Sequence, residues 1–209
     1  MIESVIMAVI AYLIGSINFS VILSKKMAGF DVREKGSGNA GTTNMLRAVG
    51  KKAAAITLIC DILKGVIAIL IAILMGKFVS GANGAVLVQV AGIAVTVGHT
   101  FPIFFKFKGG KGVATSLGVL IMSNWQIGLI CLVFAIILIA LTQMVSVGSI
   151  AAAILYPVLT LFIPQNYIVP GNYLIYSIIL AVIIVFNHRE NVKRLLKGTE
   201  NRISFKNTK

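Results

Sequence analysis

The chain has 209 residues, 58% of them hydrophobic, with several apolar runs too long for the core helices of a soluble protein. That profile describes an all-α polytopic membrane protein, one integral-membrane domain over residues 1–209, and excludes an ordinary globular domain. A net charge of +13 would point a soluble protein toward nucleic acid, but here the basic residues sit between or after apolar spans, where they set topology.

The first apolar run, about residues 4–23, has no basic residue before it and no small-residue cleavage site leading to a soluble stretch, so it is expected to stay as a helix. The loop that follows reads Gly36-Ser37-Gly38-Asn39-Ala40-Gly41-Thr42-Thr43-Asn44-Met45-Leu46-Arg47. Glycine mixed with small hydroxyl and amide side chains offers backbone N–H groups to an anion, and Arg47 adds a forked charge, so phosphate is the expected ligand. A flexible connector is the plain alternative, because Gly, Ser and Asn are also ordinary turn residues. A phosphate site beside membrane spans implies chemistry on a phosphorylated substrate at the membrane surface.

The second span, about 53–75, carries Asp61 and Lys64 on one helical face, where they can neutralise one another. Bracing of a nearby site and proton transfer both fit such a pair. Cys60 here and Cys131 further on lack neighbours for a disulfide or a metal site and read as packing residues.

The third span, about 84–105, runs through Gly98-His99-Thr100-Phe101-Pro102 toward Lys106-Phe107-Lys108-Gly109-Gly110-Lys111-Gly112. Gly-Gly-Lys-Gly at a helix start lets backbone, helix dipole and ammonium converge on a phosphate. It lacks the glycine spacing and the Ser or Thr after lysine of a Walker A loop, so nucleotide hydrolysis is not indicated. Lys106 and Lys108, flanked by Phe, also suit a basic interfacial anchor, and His99 fits a structural histidine as well as a ligand.

The apolar block 113–163 is too long for one helix and carries polar breaks near Ser123-Asn124-Trp125-Gln126 and Thr142-Gln143-Met144. A last span, about 172–187, leads into a polar tail from Asn187 to Glu200. On one helix His188, Asn191 and Leu195 would share a face, with Arg194 three residues beyond Asn191. A basic tail on anionic lipid would explain the charges but not the His and the Asn.

Seven basic residues lie in 24–52, three in 106–111 and seven after Asn187, so 17 of the 19 share one side only if the block crosses an odd number of times. The positive-inside rule then puts the N-terminus outside and the C-terminus in the cytoplasm, with Lys77 in an outer loop. Five crossings with re-entrant pieces satisfy the same parity. Seven helices are preferred because each third of the block then ends at its own polar break, although 113–123 is short for a crossing.

Three segments on one membrane face carry a resemblance: the Ser-Gly-Asn-Ala-Gly-Thr-Thr-Asn loop ending in Arg47, the Gly-His-x-Phe-Pro element leading to Gly-Gly-Lys-Gly-Val-Ala-Thr, and the His188-x-x-Asn191-x-x-Arg194-Leu195 tail. Together they resemble the bacterial membrane family of acyl-phosphate-dependent glycerol-3-phosphate acyltransferases, over nearly the whole chain. The resemblance implies transfer of a fatty acyl group from a long-chain acyl phosphate to the 1-hydroxyl of glycerol 3-phosphate, giving lysophosphatidic acid and phosphate. It also implies a multi-pass protein of the bacterial cell membrane, with its active site on the cytoplasmic face.

By the same resemblance Ser37, Arg47, Lys111, His188 and Asn191 are the catalytic set. Gly36, Gly38, Asn39, Gly41, Thr42, Asn44, Gly109, Gly110, Gly112 and Arg194 surround the substrate, Ser146 or Ser149 completes the phosphate site, and Glu200 holds structure rather than reacting. Asn18, where members often carry Pro, and Gln143, near an often basic position, depart from the family pattern outside its motifs. They bear on substrate or lipid preference rather than on the reaction.

An acyl phosphate is a mixed anhydride with a good leaving group, so direct attack by the glycerol hydroxyl suffices, with His188 or the leaving phosphate taking the proton. Neither His99 nor His188 has an acid five positions on, so the His-x-x-x-x-Asp pair of acyl-CoA and acyl-carrier-protein acyltransferases is missing. No cofactor, metal or nucleic acid is expected. A transporter of a phosphorylated metabolite is the competing class, but it predicts inverted repeats and polar groups on both faces, and the outer loops are short and nearly uncharged.

Overall fold

The computed structural model describes residues 1–163 and 168–203. Lys206 and Lys209, counted above in the basic tail, lie outside the described residues. Among the described residues there is no strand. The helices are α1 (Ile2–Ser16), α2 (Phe19–Ala28), α3 (Thr42–Ala48), α4 (Lys51–Phe78), α5 (Gly84–Thr100), α6 (Val113–Ser123), α7 (Trp125–Thr142), α8 (Val145–Phe162), α9 (Leu174–Asn187) and α10 (Arg189–Leu196). The protein is thus an all-helical, multi-pass membrane protein.

The expected breaks fall where local capping chemistry puts them. Asn124 closes α6 and opens α7 by accepting the Ile127 N–H on its Oδ1 at 3.2 Å, and Gln143 separates α7 from α8 with a left-handed backbone, φ 59°. Asn18 makes a break that hydropathy does not register. Its Oδ1 accepts the Val21 N–H at 3.2 Å and the Ser20 hydroxyl at 2.7 Å, so the first apolar stretch is two helices, α1 and α2. The third span runs over Gly84–Phe105 as expected, but its α-helix ends at Thr100, because Pro102 cannot continue it, and the short turn Ile103–Phe105 completes the span.

Five helical stretches among the described residues are long and apolar enough to cross a membrane, or six if the pair α9 and α10, bent by 60°, counts as one span. A seventh crossing would have to use α6, whose 11 residues reach about 16 Å, half the hydrocarbon thickness.

Lipid supplies no hydrophobic drive for helices to associate, so close packing must come from shape. Glycine supplies it twice. A Cβ on Gly15 would lie 2.2 Å from the Val95 carbonyl oxygen, and one on Gly98 2.3 Å from that of Tyr12, so α1 and α5 run backbone against backbone. Gly65 and Gly118 do the same for α4 and α6, with the corresponding approaches 2.3 Å to Thr115 O and 2.0 Å to Ile62 O. Tyr156 and Tyr173 both meet Tyr176 edge to face inside the bundle, joining α8 to the start of α9.

A second, smaller core of Val21, Val32, Ala40, Met45, Ala53 and Ala54 lies under the Gly-rich loop at the basic end of the bundle. Arg33 straps that loop to the Gly-Gly-Lys-Gly segment. It is paired with Asp31 at 2.7 Å and donates to the carbonyls of Phe105 and Lys108 at 2.8 and 3.1 Å.

Candidate active site

At the basic end a cavity of about 360 Å³ opens between the loop before α3, the start of α6, α8 and the α9–α10 corner. Of the residues singled out from sequence, Ser37, Asn39, Gly41, Thr42, Arg47, Lys111, Gly112, Ser146, Ser149, His188, Asn191 and Arg194 line it. Both candidate serines of α8 are on its wall.

Gly36, Gly38, Asn44, Gly109 and Gly110 are not on the wall. Asn44 is buried and folds the loop instead: its Oδ1 accepts the Ser37 N–H at 2.9 Å, and its Nδ2 donates to the carbonyls of Val32 and Lys35 at 2.9 and 3.0 Å. The N–H of Gly38 bonds to Lys35 O, that of Gly109 to Thr100 O and that of Gly110 to His99 O, each at 3.1 Å. Their amides are paired within the protein and, in this arrangement, are not free to meet a phosphate. The loop meets the cavity mainly through the side chains of Ser37, Asn39, Thr42 and Thr43.

The electrostatics converge on one carboxylate. Asn191 Oδ1 accepts from the Lys111 ammonium, and Asn191 Nδ2 donates to Glu200 Oε1 at 2.7 Å. Ser146 donates to the same oxygen at 3.0 Å, while Arg194 pairs with Glu200 Oε2 at 2.9 Å. Burial alone would raise the Glu200 pKa, but the bonds from Asn191, Ser146 and Arg194 outweigh it and hold the carboxyl below its usual range. Burial pushes the Lys111 ammonium down to about 8, with Arg194 and Arg47 adding to the effect and Glu200 opposing it. Arg47, by contrast, reaches the cavity with no hydrogen bond or ion pair among the described residues.

Glu200, expected to hold structure, does so from the cavity wall itself. The available signal is the Lys197-Gly198 helix stop: Gly198 adopts φ 67°, its N–H bonds to Leu195 O at 3.1 Å, and the chain turns back so that Glu200 meets Arg194. Asn201 is a further wall residue that the sequence did not point to, and Thr43 of the loop, Asp61 and His99, for which the sequence left a role at the site open, line the wall as well.

His188 and Asn191 line the same cavity, His188 as the residue that opens α10, its carbonyl accepting the Val192 N–H at 2.9 Å. It occupies the bend between α9 and α10, and its Nδ1 lies 2.7 Å from Ile184 O. A carbonyl only accepts, so Nδ1 carries the proton, and the neutral ring keeps its lone pair on Nε2.

A second, almost wholly apolar cavity of about 100 Å³ adjoins the first. Val113, Leu117, Leu132, Ala135 and Ser149 belong to both, and the deeper wall is made by Leu120, Cys131, Ala152, Ala153, Tyr156 and Leu180 from α6 to α9. The polar cavity therefore continues as a slot into the bundle. No group of three or more His, Cys, Asp or Glu side chains able to hold a metal is found among the described residues.

The arrangement has counterparts. Residues 5–198 match the family model described as glycerol-3-phosphate acyltransferase. The chain belongs to the glycerol-3-phosphate acyltransferase family. It is 46% identical over 203 residues to the glycerol-3-phosphate acyltransferase of Thermoanaerobacter pseudethanolicus, covering 97% of each chain. It is 43% identical over 202 residues to that of Clostridioides difficile, covering 97% of this chain and 96% of the relative. Among solved structures, it superposes on PlsY (YgiH), an integral membrane glycerol 3-phosphate acyltransferase, in the glycerol 3-phosphate form with a TM-score of 0.85, 37% identity and 96% coverage of both chains. The lysophosphatidic acid form of PlsY gives a TM-score of 0.82 at 35% identity, covering 96% of this chain and 95% of that one.

Proposed function

We propose that this acyltransferase takes its acyl group from a long-chain acyl phosphate and transfers it to the 1-hydroxyl of sn-glycerol 3-phosphate, releasing lysophosphatidic acid and inorganic phosphate. The supporting observation is the junction of two unlike cavities. One presents Arg47, Lys111 and Arg194 around the single tail carboxylate Glu200, and the other is an apolar slot among helices. Two phosphates brought together repel one another, and fixed cations offset that repulsion without reorganising during the reaction. The acyl chain enters the slot from the bilayer, so no soluble carrier has to present it.

The hydroxyl oxygen attacks the acyl carbonyl carbon, the bond from that carbon to the phosphate oxygen breaks, and phosphate leaves with the electron pair. His188 Nε2 or the departing phosphate receives the hydroxyl proton. Asn191 holds the Lys111 ammonium on one side and Glu200 on the other, which makes it a positioning group for the cation. Ser37 and Thr42 supply hydroxyls to the phosphates, and the Thr42 Oγ1 is buried with no hydrogen-bond partner among the described residues. The site faces the cytoplasm of a bacterial membrane in this reading, with seven crossings, α6 included.

The deciding experiment is phosphate release by the purified, detergent-solubilised protein given palmitoyl phosphate, with and without glycerol 3-phosphate, and with palmitoyl-CoA as the parallel donor. Release that depends on glycerol 3-phosphate and yields lysophosphatidic acid is expected. Turnover with the CoA donor alone would overturn the donor assignment.

A further inference from the structure

Beneath the cavity floor lies a charged cluster that the reaction as written does not use. Asp61 and Lys64 on α4 and His99 on α5 are 2%, 3% and 4% exposed, and Asp61 and His99 reach the cavity wall. The three protons of the Lys64 ammonium go to His99 Nδ1 at 2.7 Å and to the carbonyls of Gly15 and Ile17, both at 3.2 Å, where α1 ends. Asp61 Oδ1 stands beside them as the counter-charge, 2.9 Å from Lys64 Nζ and 3.6 Å from His99 Nδ1. Since the ammonium can only donate, His99 Nδ1 accepts and its proton sits on Nε2, the opposite tautomer to His188.

The Nε2 edge of His99 is the surface on which the Gly-Gly-Lys-Gly segment rests. A Cβ on Gly110 would fall 2.1 Å from Nε2, and one on Gly109 2.0 Å from the His99 carbonyl oxygen. The Gly109 and Gly110 amides bond to Thr100 O and His99 O. Ring and carbonyls together seat this turn, and Lys111 is the next residue. A buried ion pair is a poor source of stability compared with well-packed apolar side chains. A cluster of this kind is better accounted for by the orientation it imposes.

We propose that Lys64 is a positioning residue for the transfer reaction: with Asp61 it locks the His99 ring as the plate that seats the Gly109-Gly110 turn, and so aims the Lys111 ammonium at the phosphate of glycerol 3-phosphate. The proposal rests on the acyl-transfer reading above, in which Lys111 is one of the cations around the two phosphates, and it assigns Lys111 the phosphate of glycerol 3-phosphate.

The test uses the full-length protein and the palmitoyl phosphate assay. The double variant Asp61→Leu/Lys64→Met removes both charges together, leaving no unpaired one, and thermal unfolding reports whether it folds. Its KM for glycerol 3-phosphate is expected to rise roughly tenfold, with KM for palmitoyl phosphate changed by less than about twofold. The alkaline limb of kcat/KM is expected to move upward from about pH 8 as the loosened Lys111 regains water. Arg47 of α3, Arg194 of α10, Glu200 of the tail and His188 of the α9–α10 corner face Lys111 and are left unchanged, so a moved limb reports the turn.

A folded double variant with wild-type KM and an unmoved limb overturns the proposal. Should the double variant not fold, His99→Asn decides. It keeps an acceptor for Lys64 but loses the plate, so a raised KM for glycerol 3-phosphate supports the proposal and an unchanged one overturns it. A wild-type protein inactive with palmitoyl phosphate would fail the donor reading instead, a result separate from an active enzyme indifferent to these variants.

Discussion

Two histidines bound the cavity with opposite hydrogen-bonding arrangements. His188 spends its Nδ1 proton on Ile184 O and keeps a lone pair on Nε2, whereas His99 accepts from Lys64 and keeps its proton there. If His188 is the proton acceptor, His188→Gln is expected to lower kcat by about 10²–10⁴-fold at saturating substrate, read by phosphate release. Retention of most of the turnover would assign the proton to the leaving phosphate. Lys111 makes a second residue-level prediction. Its folded-state pKa is lowered to about 8, and the cationic form is the one that binds phosphate, so kcat/KM for glycerol 3-phosphate is expected to be full below that pH and to fall as pH rises through it. A profile flat to pH 10 would remove Lys111 from the binding set.

Between elements, backbone proximity does most of the positioning. The glycine contacts of α1 with α5 and of α4 with α6 hold the middle of α4 close enough to the end of α5 for Lys64 to reach His99. On the other side of the bundle, small side chains on α7, α8 and α9, among them Ala135, Ala152, Ala153 and Ala181, leave room for the apolar slot. Filling that slot tests its use. Ala153→Phe is expected to lower kcat/KM for palmitoyl phosphate about tenfold or more, and to affect a short-chain acyl phosphate less, as steric exclusion from an apolar pocket requires. Equal loss with both donors would mean that the chain lies elsewhere.

For the whole molecule, the charge distribution predicts orientation. Lys77, at the end of α4, and Lys197, after α10, are exposed and belong to opposite faces in the proposed topology. With Cys60 and Cys131 replaced by Ala, Lys77→Cys is expected to react with an impermeant maleimide in intact cells, and Lys197→Cys only after permeabilisation. The reverse pattern would invert the chain and place the cavity outside.

What was legible in the sequence was local. Apolar length set the membrane class, and the polar breaks at Asn124 and Gln143 divided the long block, because capping depends on residues only a few positions apart. The three segments that carry Ser37, Arg47, Lys111, His188 and Asn191 were also visible, and the fold brings these residues to one cavity. Which amides remain free was not legible. Gly109 and Gly110 read as ligand-facing, yet they are glycines because the His99 ring and carbonyl leave no space for a side chain. Nor could spacing reveal that Glu200 returns to gather Asn191, Ser146 and Arg194, or that Lys64 bonds to His99 across two helices. Hydropathy and capping act along the chain and are written in its order. Hydrogen bonds between helices depend on how closely backbones approach, and only the packed bundle decides that.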